Sequence, residues 1–265
     1  MKKTLLSGLS ALLVGSALFT GGGFATKVNA QSSESYDEYL PNSIDDDETI
    51  VSVYRNTANG LKKLSIEDVK ALSDTTEQND LDKKKSFESI NHLNKEDEVN
   101  PLWIIIRQWH EYEYKKRGGK EVTYEKERKR ASSVWYNTKS TPVERSFKVS
   151  GSTQLTKNVT LNSDAFKILK ASVSSSAVES ASFEDSIKET VSPGYSAWIE
   201  FVPIKYNTWG TMYDWVYKIT DISNGTPDKS LDTVDEIDYY FPLETRYGEA
   251  DGIFVLKEKK GEYTP

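Results

Sequence analysis

The residues with the clearest chemical potential in this sequence are carboxylates in its second half. Glycoside hydrolysis requires two carboxylates at a fixed separation, one of which protonates the leaving group. A pair could be assembled from Glu179, Asp185, Glu200, Asp214 and Asp235. Sequence spacing does not set their distance in space, and acids are common throughout the chain. A secreted carbohydrate-active hydrolase is therefore only the third hypothesis, and we predict no catalytic residue.

Composition limits other catalytic and metal chemistry. The chain has no cysteine, and His92 and His110 are its only histidines. This excludes thiol catalysis, cysteine–zinc sites and multi-histidine metal sites. No P-loop, nucleophile elbow or dinucleotide fingerprint is present. The acids at Asp45–Glu48 lack the spacing of a regular calcium loop. No metal and no cofactor are predicted.

Aromatic side chains are the second group of candidate functional residues. Several share one register of a strand predicted to start at Trp209, and others follow Pro101. They either pack in a core or form an exposed platform for sugar rings or lipid headgroups, because Tyr and Trp join a flat apolar ring to a polar tip. The predicted ligand or membrane contacts are Trp109, Tyr112, Trp198, Trp209, Tyr213, Trp215 and Tyr217.

A Ser-rich stretch, 169–191, alternates between apolar and hydroxyl side chains. This period of two predicts a long strand or hairpin with one buried face. The alternative is the inserting segment of a β-pore-former, which shows an apolar face to lipid and a polar face to the channel. Asp185 and Glu189 interrupt the apolar register. The candidate insertion residues are Leu169, Val173, Ala177, Phe183, Ile187 and Val191.

The region from Phe147 to Tyr217 resembles the stem region of aerolysin-like β-pore-forming toxins and their uncharacterised secreted Gram-positive relatives. Ser- and Thr-rich alternation in 171–190 carries this resemblance, together with Val191–Tyr195 and the strand Ala197–Phe201. The resemblance implies an elongated, twisted β-sheet domain. It also implies oligomerisation on a target membrane and formation of a β-barrel pore.

The N-terminus has the pattern of a secretion signal. Lys2 and Lys3 precede the apolar run Leu5–Phe19, which is shorter than the roughly 20 residues of a bilayer-spanning helix. Small or branched residues at Val28–Ala30 predict cleavage after Ala30. An exported chain without cysteine has no disulfides, which favours a bacterial source, and the many lysines favour a Gram-positive one. The predicted location is extracellular.

The predicted fold class is mainly β. We expect an elongated antiparallel sheet or sandwich with long alternating strands in residues 101–265. We expect residues 31–100 to be an acidic, weakly ordered arm with one short helix, which starts after Ser65 and covers Ile66–Leu72. Turns are predicted at Gly118–Gly119 and at Tyr206–Thr208, and Leu102–Ile106 is predicted to be a buried strand.

The leading functional hypothesis is a secreted, non-enzymatic surface-binding or interaction protein. The aerolysin-like pore-former, inserting 169–191, is the alternative. A basic middle segment lies between two acidic segments, so it faces acids of its own chain and no nucleic-acid partner is expected. The expected partners are a cell surface, a glycan or a membrane, with homo-oligomers if the protein forms pores.

Overall fold

The computed structural model describes residues 35–40, 47–57, 59–88, 107–219 and 226–263. The signal sequence and the Leu102–Ile106 run lie outside these ranges. Glu34–Pro265 forms one compact unit, which is mainly β with antiparallel strand ladders, as predicted. Its elements in chain order are β1 (Glu48–Thr57), β2 (Gly60–Lys63), α1 (Ile66–Glu88), β3 (Arg107–Thr123), β4 (Lys129–Arg130), β5 (Trp135–Tyr136), β6 (Val143–Gln154), β7 (Thr156–Lys157), α2 (Ser163–Ala171), β8 (Ser180–Val191), β9 (Tyr195–Ile219), β10 (Asp228–Pro242) and β11 (Gly252–Lys260).

The sheet is built around β9, a strand of 25 residues. At about 3.3 Å per residue it is roughly 80 Å long. Strands β3, β4 and β5 pair in succession along one edge of β9, and β10 and β11 pair in succession along the other. β1 extends the sheet beyond β11, and β2 extends it beyond β1. Because β9 has partners on both edges, its backbone hydrogen bonds are satisfied along nearly its whole length.

The turn predicted at Tyr206–Thr208 is wrong, because β9 continues straight through it. The polar side chain that suggested a turn is fully buried and bonded on both sides. Asn207 accepts a hydrogen bond from Asn79 of α1 at 2.8 Å and donates to Asp238 at 2.7 Å and to the Tyr239 carbonyl at 3.1 Å. A buried amide with three partners stabilises the strand at a position where an exposed Asn would favour a turn.

The turn predicted at Gly118–Gly119 is also wrong, since β3 passes through both glycines with a register shift between Lys116 and Gly118. Neither glycine has a positive φ. Gly118 is required by packing instead: a Cβ there would lie 2.1 Å from Cζ2 of Trp209. β3 ends at Thr123 and is followed by a 3₁₀ turn at Glu125–Glu127 and the short β4.

Helix α1 begins at Ile66 as predicted but extends for 23 residues. Ser65 and Asp68 form the reciprocal capping box, with backbone-to-side-chain distances of 3.1 and 3.2 Å. A seven-residue helix would be unstable alone. Tertiary contacts extend it: Val69 and Asn79 are buried, and Lys83 bonds Asp238 of β10 at 3.1 Å. The described part of residues 31–100 thus contributes α1, β1 and β2 to the compact unit.

The Ser-rich stretch contains a helix, a turn and a strand, so the single long strand or hairpin predicted from Leu169 is wrong at its start. Asn162 caps α2, which ends at Ala171, and β8 starts at Ser180. β8 pairs with β6 over twelve residues in a separate two-stranded sheet, here called the ribbon. The ribbon packs through its apolar face on the β9 and β11 end of the main sheet. The predicted buried face is confirmed from Ala181 to Val191.

Candidate functional site

Four of the predicted aromatic residues come together where the start of β3 pairs with the end of β9. Tyr213, Trp215 and Tyr217 alternate along β9 on one face, and Trp109 of β3 lies opposite Tyr217. Trp109 and Tyr217 stack in parallel with ring centroids 5.3 Å apart and planes 8° from parallel. Tyr213 and Trp215 stack at 6.1 Å and 15°. These residues are half-buried and form what we call the aromatic face.

Basic side chains lie over the rings of the aromatic face. The Lys229 ammonium is 4.2 Å from the Trp215 ring centroid, and the Arg107 guanidinium carbon is 5.2 Å from that of Trp109. The Lys115 ammonium is 4.8 Å from the Tyr213 centroid. Such cation–π contacts hold a cation beside each ring, and Lys115 also pairs with Glu113 at 3.8 Å. The aromatic face therefore combines flat apolar surfaces with hydrogen-bond donors.

Acidic side chains orient the two indoles of the aromatic face. Trp109 Nε1 donates to Glu111 at 3.3 Å, and Trp215 Nε1 donates to Glu113 at 3.3 Å. Both glutamates are exposed on the same face, so each retains acceptor capacity for a ligand hydroxyl. Leu231 of β10 lies opposite Trp215 and is 37% exposed. The arrangement is suited to a ligand with apolar faces and hydroxyl edges.

The other three predicted contacts are not part of this face. Tyr112 points to the opposite side of β3, where its hydroxyl accepts a hydrogen bond from Asn162 at 2.6 Å. Trp198 and Trp209 are each only 3% exposed. Trp198 stacks on Tyr263 at 4.9 Å, and Trp209 packs against Gly118. The prediction that Trp198 and Trp209 contact a ligand or membrane is wrong, because the chain itself covers their rings.

The predicted insertion residues divide into two groups. Phe183, Ile187 and Val191 lie on β8 and are buried against the main sheet. Leu169 belongs to α2 and is buried in a hydrophobic cluster separate from that of the ribbon. The prediction that it lies on the apolar face of a strand is therefore wrong. The same correction applies to Val173 and Ala177, which lie between α2 and β8, Ala177 forming an isolated bridge to Leu243.

Glu189, one of the two acids that interrupt the apolar register, ties the ribbon to β1 and β2. It accepts hydrogen bonds from the Tyr54 hydroxyl and from Lys63, the latter at 2.8 Å. Burial alone would raise the pKa of Glu189. The hydrogen bonds from Lys63 and Tyr54 together have a larger, opposite effect, so the pKa of Glu189 is below its usual range. Burial and the Glu189 contact raise the pKa of Tyr54. The carboxylate thus has charged and polar partners within an otherwise apolar contact.

The carboxylates considered for hydrolysis have different environments. Glu200 contacts Arg128 at 3.2 Å and Lys257 at 3.1 Å, and Glu179 pairs with Lys170 at 2.8 Å. Asp185 is exposed on the ribbon. Asp214 is on the same strand as Glu200, but it lies fourteen residues further along, at the aromatic end. The Glu200 ion pairs are largely buried and support the fold, whereas the Glu179 pair is exposed at the surface.

A cluster of three possible metal ligands lies behind the aromatic face, on the other side of the sheet. The two carboxylate oxygens of Asp214 lie 2.8 and 3.1 Å from His110 Nδ1. One ligand-type atom each from His110, Asp214 and Asp232 lies within 4.8 Å of the others. The three residues are far apart in the chain and meet only because β3, β9 and β10 are neighbours. No local spacing could have indicated this group.

Comparison with protein-family models, with curated proteins and with solved structures gives no match. Within the described ranges, neither helix is both long and apolar enough to cross a membrane.

Proposed function

We propose that this protein is a secreted, non-enzymatic binding protein that recognises carbohydrate through the aromatic face. The observation that supports this most is the row of half-exposed rings on one face of β9, with Trp109 stacked beside it. Alternate residues of a strand are about 7 Å apart. The row therefore presents successive flat rings along a line, which suits an extended chain of sugar units lying along β9.

The chemistry of the surrounding side chains favours sugar over a purely apolar ligand. A pyranose ring has apolar faces formed by C–H groups and a rim of hydroxyls. Trp and Tyr rings cover the former, while Glu111, Glu113 and Lys229 offer acceptors and a donor at the rim. A mainly apolar site with a few placed polar groups is the usual composition of a ligand site.

Binding to immobilised glycans and insoluble polysaccharides tests this proposal. We expect the wild type to bind a subset of them and Trp215→Ala to weaken binding roughly two- to tenfold, since a well-placed ring contact contributes about 0.5–1.5 kcal/mol. Tyr247→Ala is the matched control, because Tyr247 is an exposed aromatic residue outside the aromatic face, 63% accessible. Binding that survives Trp215→Ala unchanged, or the absence of binding to every glycan, would contradict the proposal.

Export is part of the proposal and has its own test. The Lys2–Lys3 start, the Leu5–Phe19 apolar run and the Val28–Ala30 site support cleavage after Ala30. After expression in a Gram-positive host, the protein should be found in the culture medium, with an N-terminal sequence that starts at Gln31. An intracellular protein that retains Met1 would contradict this part.

A second candidate function, the β-pore-former, is favoured by the design of the ribbon. Each ribbon strand has twelve residues, more than the 9–11 that a membrane strand requires. One face is apolar and covered, and the other carries Ser, Lys and Glu. The ribbon has its own ladder, so it could leave the main sheet without breaking a continuous strand pairing.

Dye release from liposomes, with oligomer size measured in parallel, tests the second candidate. The double variant Asp185→Asn/Glu189→Gln removes two charges from the apolar register and also removes the carboxylate that holds Tyr54 and Lys63. It should increase release if the ribbon inserts. Glu184→Gln, an exposed acid on the same strand, is the control. No release by the wild type or the double variant would exclude this candidate on such membranes.

A further inference from the structure

We propose that His110, Asp214 and Asp232 form a binding site for a divalent transition-metal ion of the zinc class. The three side chains come from three adjacent strands, β3, β9 and β10. Their ligand atoms lie within 4.8 Å of one another. This site is on the opposite side of the sheet from the rings of Tyr213 and Trp215, which flank Asp214 in the chain. It is independent of the proposed carbohydrate binding.

The strand register explains why these three residues meet. Tyr112 of β3 pairs with Asp214, so His110, two residues earlier on the same face, is the diagonal neighbour of Asp214. On the other edge, Leu231 pairs with Trp215 and Thr233 pairs with Asp214, which leaves Asp232 as the extra residue of a β-bulge. A bulge redirects the side chain of the extra residue. Asp232 thereby joins the face that carries Asp214 and His110.

The charge balance of the cluster calls for a cation. The Asp214 side chain is only 13% exposed. Across the described part of the chain, the contact with His110 is the only ion pair of Asp214, and Asp232 makes none. A largely buried carboxylate is costly unless a positive group compensates it. A second carboxylate beside it adds repulsion, so two acids and one histidine without a lysine or arginine favour a bound dication.

The donor set selects the class of metal. A neutral imidazole nitrogen with two carboxylate oxygens is a ligand set that zinc and its first-row neighbours accept, whereas calcium and magnesium prefer oxygen alone. Zinc bonds of about 2.0–2.2 Å place ligand atoms roughly 3.3 Å apart in a tetrahedron. The 2.8 and 3.1 Å distances between His110 Nδ1 and Asp214 are near this value. Asp232 is exposed, so its side chain can rotate to close the third contact.

Titration of the chelator-treated full chain with ZnCl₂ in a calorimeter tests the proposal. We expect saturable binding of about one Zn²⁺ per chain, and a loss of affinity of roughly tenfold or more in His110→Gln and in Asp232→Asn. Asp228→Asn removes the same charge from another exposed position of β10 and should bind like the wild type. No saturable binding, or equal binding by wild type and Asp232→Asn, would overturn the proposal.

A second readout follows the histidine ligand itself. In ¹⁵N-histidine NMR spectra of the wild type, Zn²⁺ should shift the Nδ1 signal of one histidine, and this signal should be absent in His110→Gln. His92→Gln, which alters the only other histidine, should retain the shift. A shift confined to His92, or competition by equal concentrations of Mg²⁺ or Ca²⁺, would overturn the zinc site at His110.

Discussion

Truncation of Phe183 measures how firmly the ribbon is packed on the main sheet. Phe183 is 5% exposed. Its ring centroid lies 4.2 Å from that of Phe201 and 4.9 Å from that of Phe254, and the Phe254 ring is edge-on to it. On the paired strand β6, Gly151 leaves room for it, because a Cβ at Gly151 would lie 2.8 Å from Phe183 Cζ. The ring therefore fills a space enclosed by two aromatic rings and backbone.

The expected cost follows from this enclosure. Phe183→Ala should lower the free energy of unfolding by about 3–5 kcal/mol, because rigid neighbours cannot collapse into the cavity. Each lost aromatic pair adds about 0.5–1.5 kcal/mol beyond buried area, which places the value in the upper half of that range. Phe183→Leu keeps most of the volume and should cost about 1–1.5 kcal/mol.

Urea unfolding followed by near-UV and far-UV circular dichroism provides the measurement. Coincident transitions justify a two-state analysis, and a change in midpoint at constant slope reports the stability change. Glu184→Ala, at the exposed neighbouring position on β8, should change stability by no more than about 0.5 kcal/mol. A loss below about 1 kcal/mol for Phe183→Ala would refute the reasoning. It would mean that the ribbon is lightly held, as a pore-former requires.

Two further predictions concern buried charges. Replacing the fully buried Lys205 with Met should lower the free energy of unfolding by about 1–3 kcal/mol, because the partly exposed Glu127 carboxylate, 2.5 Å from the Lys205 ammonium, loses its cation but keeps hydrogen bonds from Thr153 and Thr156. The double variant Lys205→Met/Glu127→Gln should regain part of this loss in urea unfolding. The pKa of Glu189 is lower in the folded than in the unfolded state, so its contacts with Lys63 and Tyr54 stabilise the fold above about pH 4.3 and lose this effect as pH falls further. The stability difference between wild type and Glu189→Gln should therefore be complete at neutral pH and shrink on acidification; a difference that is independent of pH would contradict the assignment.

The sequence by itself determined several local features: the buried side of β8, the start of α1 and the shared face of three aromatic side chains. Alternation from Ala181 to Val191 correctly predicted the covered face of β8, because side chains of a strand point to alternate sides regardless of the partner. The Ser65 and Asp68 pair correctly predicted the start of α1, since a capping box is a local interaction. The shared register of Tyr213, Trp215 and Tyr217 likewise predicted that their side chains lie on one face.

The tertiary structure decided where elements end and which aromatic rings stay accessible. Asn207 lies inside a strand instead of a turn because Asn79 and Asp238, distant in sequence, satisfy its amide. Gly118 lies inside β3 because the ring of Trp209 requires the space of a missing side chain, and that contact also removes Trp209 from the surface. Such outcomes depend on partners that local propensity does not contain.

The same physical reason explains the metal-ligand cluster. His110, Asp214 and Asp232 are individually ordinary residues of three strands, and none of their spacings is a motif. Pairing register brings the first two together, and one extra residue in β10 adds the third. Sequence patterns determine the faces of strands because side-chain direction is local, whereas a site shared by three strands exists only once their register is established.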